Sequence, residues 1–259
     1  IRAETATQTL RKPAAKTASA RLPALTLMLA CGASAQFPPP EPGTTGSARE
    51  LAPIDLTGQW VAIVSEDWRW RMVTPARGDF PSIPMNLDAQ LLAEAWDPAA
   101  DEAAGEACKA YGAPGLMRGP TRLRIAWRDD DTLELESDYG LQTRLFHFDG
   151  APPEGANTWQ GVSTAEWIVA GESGFGSMKS VTTRLRPGYL RKNGVPYSDS
   201  TAFTEYWDVH VQDNGDRYLV VTNTVEDPVY LQLPWITAIH FKKEADRSKW
   251  YPTPCDARF

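Results

Sequence analysis

The sequence predicts an all-β protein, an antiparallel β-barrel of about eight to ten strands with one short helix. Three observations carry that prediction. Short runs of alternating apolar and polar residues recur along the chain, the period of a strand with one buried face. Turn-forming clusters rich in Gly, Asn, Asp and Pro separate them. Only residues 86–96, "NLDAQLLAEAW", show helical spacing.

The elements follow in order. "LTGQWVAIV" places Leu56, Gly58, Trp60, Ala62 and Val64 on one face of a first strand. "EDWRWRM" (66–72) alternates indoles with guanidiniums, which predicts a strand with Trp68 and Trp70 inward and Arg69 and Arg71 on the opposite side. The arginines serve function if the following "VTPARGDFPSIP" folds back as a lid over them, and are otherwise the solvated side of the strand. The helix comes next, with Asn86 as N-cap and Leu87, Leu91, Leu92 and Trp96 on one side. "RLRIAW", "TLELES" and "LQTRLFHF" read as successive hairpin strands, followed by "TWQGVSTAEWIV" and "SMKSVTTRL". "TAFTEYWDVHV" and "RYLVVTNTV" flank "QDNGD", where Asn-Gly signals a tight turn, and "WITAIHFKK" closes the pattern. A single domain over 54–259 accommodates these elements, and 259 residues with 42% hydrophobic content suffice for one sizeable core.

Residues 1–35 differ from the rest. Arg2, Arg11, Lys12, Lys16 and Arg21 precede the apolar "LPALTLMLACGASA", the order of a secretory signal peptide cleaved after Ala35. A lipoprotein with Cys31 acylated is the alternative, although the residues before that cysteine fit it poorly. Residues 36–53 are a flexible Pro/Gly-rich leader. Removing 1–35 takes away five basic residues and one acid, so the net charge moves from −7 to −11. That acidity argues against nucleic acid and anionic membranes as partners, and no stretch is long enough for a transmembrane segment. Periplasmic or secreted localisation follows, and Cys108 and Cys255, the two cysteines left, suggest one disulfide rather than two free thiols.

Gly58-Gln59-Trp60 resembles the Gly-x-Trp opening of lipocalin-type barrels. Over residues 54–255 the blocks "GEACKAYGAPGLMRGPTRLRI", "TWQGVSTAEW", "RPGYLRKNGVPYSDSTAFTEYW" and "VEDPVYLQLPW" resemble a family of secreted bacterial β-rich proteins. The resemblance implies export and a lipocalin-like β-barrel but brings no activity with it. Where this chain has Tyr197, the family pattern has His, which makes that position a candidate for chemistry.

The residues that could carry function are few. Alternation puts Glu205 beside Phe203 and Trp207 on the inward face. A buried carboxylate must be paired, protonated or facing a cavity, so Glu205 is either a general base or the partner of an inward arginine such as Arg144. With Tyr197 and His147 it makes the candidate catalytic set. Trp68, Arg69, Trp70, Arg71, Arg144 and Trp207 make the candidate ligand-binding set, with rings for stacking and guanidiniums for anions. Asp208 and His210 share a strand face, but three histidines in all (His147, His210, His240) on different strands demand no metal site. Ser163, Ser180 and Thr204 lie in no Gly-x-Ser-x-Gly elbow, which argues against a serine hydrolase, and with neither a phosphate loop nor a dinucleotide fingerprint no cofactor is implied. The expected function is therefore binding of a small hydrophobic, aromatic or sugar-like ligand in an aromatic-lined cavity. The alternative is a cofactor-independent lyase, isomerase or hydrolase on the same barrel.

Overall fold

A computed structural model describes residues 46–150, 152, 155–171 and 175–258. The expected signal peptide, Cys31 and most of the leader lie outside the described residues. No helix among the described residues is long and apolar enough to cross a membrane.

Nine strands close into a barrel: β1 (Gly58–Ile63), β2 (Arg122–Trp127), β3 (Thr132–Ser137), β4 (Gln142–His147), β5 (Val162–Ala170), β6 (Phe175–Thr183), β9 (Ala202–Val211), β10 (Arg217–Glu226) and β11 (Trp235–Glu244). Around the wall they run β1-β11-β10-β9-β6-β5-β4-β3-β2. Two shorter strands, β7 (Gly188–Arg191) and β8 (Val195–Tyr197), form a separate hairpin between β6 and β9. The all-β barrel is as the alternation predicts, but it is not wholly antiparallel. β4 and β5 pair in parallel, Phe146 opposite Ser163 and His147 opposite Thr164. The reason is parity: a closed ring of nine strands cannot alternate direction throughout, so one seam must be parallel. Residues 148–161 supply the long connection that a parallel pair requires.

Inward positions follow the period of two. Trp60, Leu123, Leu135, Phe146, Met178, Trp207, Val221 and Phe241 fill the barrel and are essentially inaccessible. A second apolar cluster, including Met85, Leu190, Val195, Tyr197, Phe203, Val225 and Trp235, lies under a cap of short helices and the β7–β8 hairpin. Asp227, past the end of β10, anchors this cap. Its carboxylate accepts hydrogen bonds from Ser198 N and Oγ, Thr201 Oγ1, Val229 N and Tyr230 N.

The cap holds more helix than one. The predicted helix is α2 (Leu87–Glu94), and Asn86 caps it, its side chain accepting from Ala89 N at 2.9 Å. Its buried face is the reverse of the one predicted. Ala89 and Ala93 are buried, while Leu87 is 67% exposed and Leu91 and Leu92 also face outward. Small residues let the helix approach β8 closely, which leucines would prevent. α1 (Trp68–Arg71), α3 (Pro98–Ala103) and α4 (Ala113–Leu116) are additional. α3 has an N-terminal signal in the sequence: Asp97 accepts from Ala99 N and Ala100 N, and Pro98 follows it.

α1 corrects the expected strand at "EDWRWRM". Pairing of β1 with β11 ends at Ile63, so the chain beyond it lacks a ladder and turns through Asp67 at φ 52° into a helical turn. The helical turn consequently exchanges two of the four sides: Trp68 is 63% exposed and Arg71 is buried, while Trp70 stays inward and Arg69 outward.

Cys108 and Cys255 form a disulfide that joins the segment after α3 to the C-terminal tail. Closing so long a loop is worth about 5 kcal/mol in a chain-entropy treatment, with strain subtracting from it. Both cysteines should therefore resist alkylation until the protein is unfolded and reduced, as read by peptide mass. Cys255→Ser should lower the urea midpoint by an amount corresponding to about 2–5 kcal/mol.

Candidate functional site

The predicted catalytic residues do not meet. Glu205 sits inside the barrel on β9, His147 on the outer face of β4, and Tyr197 under the cap on β8. Tyr197 packs so tightly that a Cβ at Gly112 would stand 2.0 Å from its hydroxyl, and one at Gly188 would stand 2.6 Å away. Burial pushes that hydroxyl's pKa upward. The hydroxyl is buried, with the backbone of Gly112 and Gly188 packed against it.

Of the two readings of Glu205, the structure shows the ion pair. Arg144 Nη1 donates to Oε1 at 2.9 Å and Nη2 to Oε2 at 2.5 Å, and both side chains are fully buried. Ser180 Oγ donates to Oε2 at 3.1 Å, Arg144 Nη2 also donates to Thr182 Oγ1, and Thr182 shares a hydrogen bond with Ser163. Trp207 belongs to the core beside this pair, edge-on to Phe146 at 5.2 Å, with its Nε1 donating to Ser180 Oγ. The remaining polar candidates are surface features. Asp208 accepts from Ser177, and His240 Nδ1 lies 3.1 Å from Glu66 Oε2. No group of three or more His, Cys, Asp or Glu side chains gathers to hold a metal among the described residues.

The structure places Trp70 and Arg71 elsewhere, in a recess between α1, the turn after α4 and the end of β7. Trp70, Arg71, Arg118, Tyr139, Arg191 and Lys192 contribute to its wall, around a narrow cavity of about 10 Å³, room for a single water, so a larger ligand requires the wall to open. Arg71 Nε donates to Arg118 O at 2.8 Å, and its Nη1 is paired with the Glu66 carboxylate. Arg118 Nη2 donates to Asp67 Oδ2 at 2.8 Å. Arg191 is 3% exposed and has no carboxylate partner among the described residues. The guanidinium groups of Arg191 and Arg118 lie instead over the rings of Trp70 (5.1 Å) and Trp235 (4.7 Å).

This leaves donors over. Arg71 Nη2, Arg118 Nη1, all three nitrogens of Arg191 and the indole nitrogen of Trp70 are buried without an acceptor. Burying a polar group unmatched costs on the order of 1–3 kcal/mol, more for a charged one, so the cluster is expensive as it stands. Desolvation accordingly pulls the pKa of Arg191 down to about 10, helped by the neighbouring charge of Arg118. Burial lowers Arg71 and Arg118 as well and brings Lys192 to about 8.

Residues 73–84 fold back beside this recess. Arg69 pairs with Asp79 at 3.2 Å, and Asn193 Nδ2 donates to Ala76 O at 3.0 Å and Asp79 O at 3.1 Å. Trp68 and Arg69 lie on the outside of α1. Alternation offered no route to Arg118 and Arg191, because neither sits in an alternating run. They lie in "APGLMRGPTRL" and "GYLRKNGVPY", stretches punctuated by glycine and proline.

Two measurements probe these environments. Glu205→Gln should destabilise the protein by about 3–5 kcal/mol in urea unfolding, because it strands the Arg144 charge. Arg144→Met combined with Glu205→Leu should recover most of that loss. For Lys192, the folded-state value near 8 lies below the ordinary 10.5, so the unfolded chain binds more protons between those pH values. Stability attributable to Lys192 should therefore rise with pH across that window, and Lys192→Met should remove the rise.

No protein family, curated protein or solved structure matches this chain.

Proposed function

We propose that this protein is a small-molecule binding barrel whose ligand sits at the capped end, in the recess between α1, the turn after α4 and β7. The observation that carries this reading is the set of buried N–H donors on Arg71, Arg118, Arg191 and Trp70 that find no acceptor within the protein. Buried donors are matched in the great majority of folded proteins, so a cluster of them at one recess points to acceptors supplied from outside. Trp70 offers an aromatic wall beside them, the combination of apolar surface and a few convergent polar groups typical of ligand sites.

The barrel interior offers less. Its inward side chains fill it, and both oxygens of Glu205 are engaged by Arg144 and Ser180. An acid–base reaction with Glu205 as base therefore draws no support from the geometry, which favours binding over turnover. The Cys108–Cys255 disulfide supports a periplasmic or extracellular setting, where such bonds persist.

Titration with a small-fragment library, followed by the indole N–H resonances, tests this reading. Binders should converge on Trp70 and the amides of residues 73–80 and leave Trp207 unmoved. Trp70→Ala should weaken them about tenfold, corresponding to about 1.4 kcal/mol of lost stacking. Fragments that instead shift Trp207, or a library that shifts neither, would refute it.

A further inference from the structure

We infer that the group anchored in this recess is a single-charged planar oxyanion, a carboxylate, seated on the guanidinium of Arg191. The inference rests on the recess being the binding site and adds the chemical class of what it holds.

Charge balance comes first. Arg71 is matched by Glu66 and Arg118 by Asp67, so two of the three guanidiniums already have a counter-charge. Arg191 is the surplus, and its burial makes water a poor substitute. One negative charge neutralises it. Above the value near 8 at which Lys192 at the same recess loses its charge, a dianion would leave an excess negative charge beside Glu66 and Asp67, so the preference for a single charge is read above that pH.

Geometry agrees. Arg191 keeps Nε, Nη1 and Nη2 all without an acceptor, so a complete edge of its fork is unmatched and would take two parallel N–H···O bonds once the packing that covers it moves aside. That edge matches the two oxygens of a carboxylate. Each oxygen has a second lone pair, and Arg71 Nη2, Arg118 Nη1 and the Trp70 indole N–H are the donors left to fill them. The Trp70 ring, already under the Arg191 guanidinium, would flank the body of the ligand. A neutral sugar hydroxyl would satisfy donors but leave the buried charge as it is.

The test uses the full chain at constant ionic strength, with acetate, benzoate, sulfate, inorganic phosphate and benzyl alcohol as probes. Acetate and benzoate should raise the melting temperature saturably and shift the Trp70 indole resonance, with sulfate, phosphate and benzyl alcohol at least tenfold weaker. Arg191→Met should abolish the response to carboxylates and raise the melting temperature of the anion-free protein, because a buried unmatched charge is gone. Arg191→Gln gives the same binding comparison should the Met variant fail to fold. Benzyl alcohol binding at Trp70 as tightly as benzoate would overturn the carboxylate assignment and leave the binding reading standing. A stronger response to phosphate or sulfate would overturn it in favour of a tetrahedral dianion. Failure of every probe to shift Trp70 would remove both readings. So would a carboxylate response that survives in both Arg191 variants.

Discussion

The Arg144–Glu205 pair is the constraint on which the barrel depends. Arg144 lies on β4 and Glu205 on β9, with β5 and β6 between them in the wall, so the pair spans the interior instead of bridging neighbouring strands. Two charges with no access to water are tolerable only because each oxygen and most guanidinium nitrogens are matched, with Ser180 and Thr182 completing the set. That requirement fixes register. A one-residue slip of either strand would turn its charge to the outer face and leave the partner stranded. The pair also divides the core. On β9 it separates Phe203 of the cap cluster from Trp207 of the barrel cluster, and on β10 the neighbouring Asn223 separates Val225 from Val221.

The same residue type meets opposite conditions a short way along the molecule. Arg144 is buried and answered, whereas Arg191 is buried and unanswered. An arginine that packs over an indole and has Asp67 and Asp79 near it, but no hydrogen-bond acceptor, is costly for stability alone, since an apolar residue of similar volume would sit there at lower free energy. The proposed binding role would account for this local cost, with the barrel supplying the rigidity that keeps the group in place.

Much of the wall was legible in the sequence. Strand alternation placed Phe203, Glu205 and Trp207 on one face and offered Arg144 as one inward candidate to pair with Glu205, with a general-base role left open, because period two assigns a face without knowledge of neighbours. The disulfide followed from counting cysteines. The cap was less legible for specific reasons. "EDWRWRM" alternates like a strand, yet a strand needs a partner and none runs beside it past Ile63. The leucines of α2 carry the helical period, but the approach of β8 selects the alanine face, a tertiary choice invisible in the local pattern. The recess itself is assembled from α1, the turn after α4, the segment after β3 and the end of β7. No single stretch of sequence contains its chemistry, and only Trp70 and Arg71 stood out beforehand.

The parity of the wall has a mechanical consequence. Eight of the nine seams are antiparallel ladders, while the parallel one joins β4 to β5 through only two residue pairs, Phe146 with Ser163 and His147 with Thr164. If this seam parts, the other eight keep all nine strands in one continuous open sheet. The barrel is closed but has one short seam, on the strand that carries Arg144. The cross-lumen ion pair acts as its clasp, tying β4 to β9 from the inside where the backbone ladder is thinnest.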